Sequence, residues 1–259
     1  MNHVRITVLG SSSGMPSPSR FCSSFFFQTE NCNFLLDCGE GTSFSLLKYK
    51  VDPELIDAVF ISHAHADHLG GLFLMIQMMH LLKRRIPLEI YLPEETVRVI
   101  EICLDAFYLF PDKISFPLNL QPVADNFKFE RGEITIQAYS NRHLTGNQET
   151  VKTKKLPNRM QSFCYGLKLD GKKIVYSGDV ETSDDLIGLI DEADLLITEC
   201  FHPKLEALIS LIREKRVKST LFTHIPVEME GREKQILTQA HKMGLENPRL
   251  AHDGLVIEI

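Results

Sequence analysis

The chain has 259 residues, 44% of them apolar and 24% charged, a balance that fits an ordered globular protein with a substantial core and excludes a disordered polymer. Its formal charge of −6 excludes a broad, unspecific nucleic-acid-binding face, which needs a basic excess. A local basic stretch, Arg142, His143, Lys152, Lys154, Lys155 and Arg159, reads as a solvated loop. No segment reaches the roughly 18 uninterrupted apolar residues of a membrane span, and the first residues lack a basic region followed by an apolar signal core, so the expected address is the cytoplasm. The six cysteines form no Cys-x-x-Cys pair and read as reduced, buried small hydrophobes.

In chain order, strands are predicted at Ile6 to Leu9, Ser24 to Thr29 and Asn33 to Asp37, with Ser11 to Ser19 a loop between the first two. A helix over Thr42 to Lys48 precedes a buried strand at Ala58 to Ile61, and a second helix, Gly70 to Lys83, starts directly after a cluster of histidines. Its apolar residues Leu72, Leu74, Met75, Met78, Met79 and Leu82 read as core packing. Short strands follow at Leu88 to Tyr91, Asn126 to Phe129 and Ile134 to Tyr139. Cys164 to Leu169 and Lys173 to Ser177 flank the tight-turn signal Asp170-Gly-Lys172 and predict a hairpin. Leu195 to Thr198 and Thr220 to Thr223 are predicted strands, alternating with helices at Pro203 to Lys215 and Arg232 to Met243. No fixed-period repeat is present. The mixture predicts an α/β (α+β) architecture, two mixed sheets face to face with helices outside, over a single domain 1–259 whose pseudo-halves run about 1–125 and 126–259.

The chemistry concentrates in His63-Ala-His65-Ala-Asp67-His68. Three imidazoles and a carboxylate at the end of a buried strand are costly unless a cation or tight pairing satisfies them. Alternation lets His63 and His65 converge, and the turn after them aims Asp67 and His68 at a neighbouring point, which favours two adjacent metal centres. Further ligands stand at other strand ends: His143, Asp179 after a glycine that permits a sharp turn, and His224. Each of these, taken singly, also reads as structural.

These stretches, with Leu9-Gly-Ser-Ser-Ser-Gly-Met-Pro16, Leu35-Leu-Asp-Cys-Gly-Glu-Gly-Thr42, Ser162-Phe-Cys-Tyr165, Tyr176-Ser-Gly-Asp179, Leu196-Ile-Thr-Glu199, Thr223-His224 and Ala251-His-Asp-Gly254, make the chain resemble the metallo-β-lactamase superfamily, ribonuclease Z-like branch. The resemblance implies a four-layer αββα sandwich, the metallo-β-lactamase fold, carrying two divalent metal ions. It places His63, His65 and His143 on one metal, Asp67, His68 and His224 on the other, and Asp179 between them. Zinc suits such donors; manganese, iron and cobalt fit similar ones. The metals would generate a bridging hydroxide near neutral pH and stabilise charge on the phosphoryl oxygens, with Asp67 a further proton acceptor. In the branch pattern a histidine placed like His202, with a glutamate like Glu199 upstream, assists proton transfer to the leaving oxygen; His202 reads equally as a residue at a helix start.

Two departures bear on substrate. The branch generally carries a long Gly- and Pro-rich arm that grips transfer RNA between the positions of His143 and Asp179, whereas here the insert, roughly Leu144 to Gln161, has one Gly and one Pro. The stretch Ser17-Pro-Ser-Arg-Phe21 also lacks the Lys and Arg-Asn pair common in the branch. The expected activity is therefore phosphodiester hydrolysis, with a small diester or an RNA 3′ end as substrate. The competing readings are a ribonuclease Z-like endoribonuclease processing transfer-RNA 3′ ends, a carboxylic ester, lactone or thioester hydrolase, and a non-catalytic metal-binding protein. No membrane partner is expected, and the branch's habit of dimerising makes helix 70–83 the candidate face of a homodimer.

Overall fold

The computed structural model describes residues 4–259. The first sheet begins with β1 (Arg5–Gly10), β2 (Ser24–Gln28) and β3 (Phe34–Leu36), paired antiparallel, and continues in parallel through β4 (Ala58–Phe60), β5 (Leu88–Pro93) and β6 (Leu118–Val123). The second opens with β7 (Lys128–Arg131), β8 (Ile134–Ser140), β9 (Phe163–Leu169) and β10 (Lys172–Tyr176), antiparallel, and continues in parallel through β11 (Leu195–Glu199), β12 (Thr220–Thr223) and β13 (Pro248–Leu250). The last strand, β14 (Val256–Glu258), returns to the first sheet and pairs antiparallel with β1, so each sheet has seven strands. The switch between sheets falls between Val123 and Lys128, but β14 ties the C-terminal half to the N-terminal one.

Period-two alternation explains the layering. Phe25, Phe27, Phe34, Phe60, Tyr165 and Tyr176 point between the sheets, while their neighbours Phe26, Leu35 and Val59 face helices outside the first sheet and Cys164 and Val175 face helices outside the second. Both faces are buried, which is why these strands read as continuous apolar runs. Phe60 stacks on Tyr91 at 4.6 Å and meets Phe34, Phe129 and Tyr165 edge-on; truncating so central a ring costs about 3–5 kcal/mol.

Helices α1 (Thr42–Lys48), α2 (Ala66–Leu69), α3 (Leu72–Leu81) and α4 (Glu94–Ala106) follow in the first half. After β8 come a 3-10 turn at Thr145–Asn147 and α5 (Gln148–Lys154); α6 (Leu205–Glu214) and α7 (Lys234–Lys242) cover the second sheet. Several expectations need correction. The helix predicted over 70–83 is α3, somewhat shorter, and a separate one-turn helix, α2, precedes it across Gly70-Gly71 and carries Asp67 and His68. A β-carbon on Gly71 would lie 2.1 Å from the Gly39 carbonyl oxygen, so only glycine fits that crossing. Leu72, Met75, Ile76 and Met79 are core, but Leu74 and Leu82 lie outside it, exposed. The strand predicted at Asn126 to Phe129 starts later because Asn126 adopts a left-handed turn conformation (φ 62°). The hairpin turn at Asp170-Gly171 has φ of 49° and 78°, the pair that a type I′ turn requires.

Candidate metal centre

Four segments from both sheets converge at one sheet edge. β4 ends at Phe60, and the following residues put His63 into the interior, with His65 at the N-terminus of α2 and Asp67 and His68 inside it. His143 follows β8, Asp179 follows β10 through Gly178 (φ 53°), and His224 follows β12. A β-carbon on Gly178 would stand 3.0 Å from that of Ser62, so the glycine lets the turn press against the histidine loop. His224 itself has φ 57°, an uncommon conformation that turns the chain sharply at its strand end.

The side chains divide into two groups that share one carboxylate. Donor atoms of His63, His65, His143 and Asp179 lie within 4.8 Å of one another, and so do those of Asp67, His68, Asp179 and His224. Asp179 Oδ1 is 3.3 Å from His68 Nε2, while Oδ2 is 3.3 Å from His224 Nε2 and 3.7 Å from His143 Nε2. All seven expected ligands are thus brought together.

Sequence reading did not assign Asp37 a role, yet it anchors the arrangement. Fully buried at the end of β3 with φ 58°, it accepts hydrogen bonds from the Ser62 amide (2.7 Å), the Ser62 hydroxyl (2.9 Å) and the Tyr176 hydroxyl (2.5 Å). His68 Nδ1 lies 2.6 Å from the same carboxylate, which fixes the ring so that Nε2 faces Asp67 and Asp179. The signal for it was present: like Asp179, Asp37 is a carboxylate directly after an apolar strand. The next residues are stitched beneath α2 by Cys38 N to His68 O and Gly71 N to Cys38 O, at 2.8 and 2.9 Å. Asn141, also unassigned, donates to the Asp179 carbonyl and accepts from the His143 amide, joining two of the converging turns.

The electrostatics suit a bound cation. Burial holds His63 well below the ordinary imidazole range and pushes His143 down to about 4, so both present neutral nitrogens. Burial alone would also depress His68, but the Asp179 and Asp37 carboxylates outweigh it and hold His68 well above its usual value. For Asp179 burial is likewise outweighed, here by His68 and His224, and the carboxyl lies well below the usual range. Positive charge is therefore favoured where His68 Nε2 meets Asp67 and Asp179. His63 Nε2 is buried without a hydrogen-bond partner, and His68 Nε2 and Asp179 Oδ1, equally buried, face each other at 3.3 Å without a well-aligned hydrogen bond. Such orphaned atoms are rare in native interiors and fit metal donors.

A third group adjoins these. His202 Nδ1 lies 2.7 Å from Glu199 Oε2 and 3.9 Å from Asp179 Oδ2. Glu199 is fully buried at the end of β11 and is held by the Val180 amide. α6 begins only at Leu205, so His202 is set by Glu199 and not by the helix. The hydrogen bond to Glu199 raises the His202 pKa above its ordinary value.

The insert expected as a solvated loop is more ordered than that. Lys152, Lys154 and Lys155 are exposed, but Arg159 pairs with Glu94 at 2.9 Å, and Gln161 exchanges two hydrogen bonds with Glu95 (2.8 and 2.9 Å) at the start of α4. Between insert and helix lies a cavity of about 530 Å³ that opens onto His65.

A family model described as anti-Pycsar protein Apyc1 matches residues 4–244. The chain belongs to this family. Among curated relatives, the ribonuclease Z of Archaeoglobus fulgidus is 25% identical, with 98% of this chain and 97% of that protein aligned. Their alignment runs over 303 positions against the 259 residues of this chain, so the archaeal protein carries segments absent here. Among solved structures, the metallo-β-lactamase fold protein YhfI of Bacillus subtilis superposes with a TM-score of 0.74 at 22% identity, covering all of both chains. The short form of human tRNase Z superposes with a TM-score of 0.75 at 24% identity, covering 98% of each. The Apyc1 family member described here therefore has the metallo-β-lactamase fold and stands in the ribonuclease Z-like branch of that superfamily.

Proposed function

We propose that the chain is a phosphodiesterase that works with a pair of divalent metal ions on compact phosphodiesters. At the coarser level it is a metal-dependent hydrolase of phosphoester bonds. The observation that carries the finer reading is Asp179, whose two oxygens face two separate imidazole groups. His63, His65 and His143 would hold one ion, Asp67, His68 and His224 the other, with Asp179 shared; the nitrogen-rich donor set suits zinc. Ions bound there would supply Lewis-acid stabilisation of phosphoryl charge and a lowered pKa for the attacking water.

The remaining roles belong to the chain's own side chains. Asp67, beside His68 at 3.3 Å, accepts the proton of the attacking water. His202 has Nδ1 engaged by Glu199, so Nε2 is the nitrogen that donates a proton to the leaving oxygen. Glu199 positions His202 and favours its protonated form. Asp37 orients His68 from behind.

The short insert and the bounded cavity beside His65 support a compact substrate. The second reading, an endoribonuclease acting on transfer-RNA 3′ ends, draws on the named relatives, which align along nearly their whole length. A panel of bis(p-nitrophenyl) phosphate, a cyclic nucleotide, precursor transfer RNA and a lactone, offered to the zinc- or manganese-loaded protein, separates these. Diester turnover without cleavage of precursor transfer RNA is expected. Lactone turnover without diester cleavage would overturn the proposal.

A further inference from the structure

We propose that the cavity between α4 and the 144–160 insert seats one organic arm of the diester, a flat apolar group about the size of an aromatic ring system, and that Val99, Val151 and Leu156 select for it. The inference rests on the phosphodiester reading of the adjoining site. Continuity is the first argument: His65, a candidate metal ligand, forms part of the cavity wall, so a phosphate held at the metal centre would project its ester arm into this space. Size is the second. A volume of about 530 Å³ lies within the range of small-molecule sites, about 300–1,000 Å³, and is closed off on one side by the insert.

Chemistry is the third. The lining is mainly apolar, with Val99 and Ile100 from α4 facing Leu144, Val151 and Leu156 from the insert. Val99 and Leu156 keep 55% and 44% of their surface exposed, apolar area that a flat ligand would remove from water. Asn147 and Asn158 stand among them as polar groups able to orient a heteroatom on the ligand. The wall is also held in place. Glu95 accepts from the Gln161 and Arg159 amides, and its own amide donates to the Gln161 side chain, so the insert's C-terminal stem is fastened to the first turn of α4. A prefastened wall lowers the ordering cost of binding. In place of a long arm reaching for a large partner, this chain has a short segment folded back over its own site.

The test uses two substrates with the same leaving group, bis(p-nitrophenyl) phosphate and methyl p-nitrophenyl phosphate, which differ only in the arm left behind. Val99→Trp, which fills the cavity from the helix side, and Leu156→Trp, which narrows it from the exposed insert, should each lower the ratio of kcat/KM for the aryl over the methyl diester about tenfold or more, through KM. Metal content should match the wild type. The chain has no tryptophan, so Thr150→Trp, at the exposed edge of the cavity, provides a unique fluorophore, and saturable quenching by p-nitrobenzylphosphonate, which has no ester to cleave, is expected. A ratio within about twofold of the wild type in both cavity-filling variants, or Thr150→Trp quenching that only rises linearly, would overturn the cavity assignment alone. If the wild-type protein cleaved neither diester, the phosphodiester reading would fall and the cavity assignment with it.

Discussion

The two halves of the candidate centre are built differently. Around Asp67, His68 and His224 nearly every polar contact leads inward: His68 is fastened to Asp37, Asp37 to Ser62 and Tyr176, and His224 Nδ1 lies 3.4 Å from the Ser23 hydroxyl. On the other side His63 is equally buried, with Nδ1 3.0 Å from the Ser62 hydroxyl, and His143 is tied through Asn141, so the thin point is His65. His65 is exposed, and its Nδ1 meets only His143 Nε2, at 3.2 Å. A buried, cross-braced donor keeps its geometry without a ligand, whereas an exposed one such as His65 depends on what it binds. On the proposed function, the buried positions hold the centre and the His65 side, where the cavity opens, admits substrate.

The largest effect that probes this contrast falls outside both halves. His202→Ala should keep its metal and lose about 10²–10⁴-fold in kcat on bis(p-nitrophenyl) phosphate, the usual worth of a positioned general acid. Metal loss alongside the rate would make His202 part of the binding set instead. Next comes Asp37→Asn, which should weaken zinc affinity about 10–100-fold although residue 37 touches no metal. His65→Ala, on the exposed side, should strip its ion from one position and leave the Asp67 group occupied; equal loss from both would erase the contrast. Chelator titration of the wild type should therefore proceed in two steps. The smallest effect belongs to Ser62→Ala, which removes one hydroxyl from Asp37 and should lower unfolding free energy by about 1 kcal/mol in denaturant melts.

Legibility in the sequence followed how local each signal was. The cluster from His63 to His68 declares itself because its donors are adjacent and end an apolar strand. His143, Asp179 and His224 were visible only as polar residues after strands, and it took resemblance to group them. Asp37 carried the same signal as Asp179 and was passed over, since its partners Ser62 and Tyr176 are distant in sequence and ordinary in kind. Helix α4 had readable cues, acidic Glu94 and Glu95 in the first turn and buried Thr96, Ile100 and Leu104 along one face, but was missed. Helix α5, Gln-Glu-Thr-Val-Lys-Thr-Lys, has no buried residue and so no stripe to read. Strand β6 sits at an edge with Pro122 within it, and β13 and β14 are three-residue edge strands with one buried position each, unlike the equally short but wholly buried β3 and β4.

Metal content of the wild-type protein and of Asp179→Ala, measured by elemental analysis after identical zinc loading and dialysis, tests the shared carboxylate most directly. A pair of ions per chain in the wild type, falling together with diester turnover in the variant, is the predicted result. A variant that retains the wild-type complement of metal would contradict the bridging role of Asp179 and the account built on it.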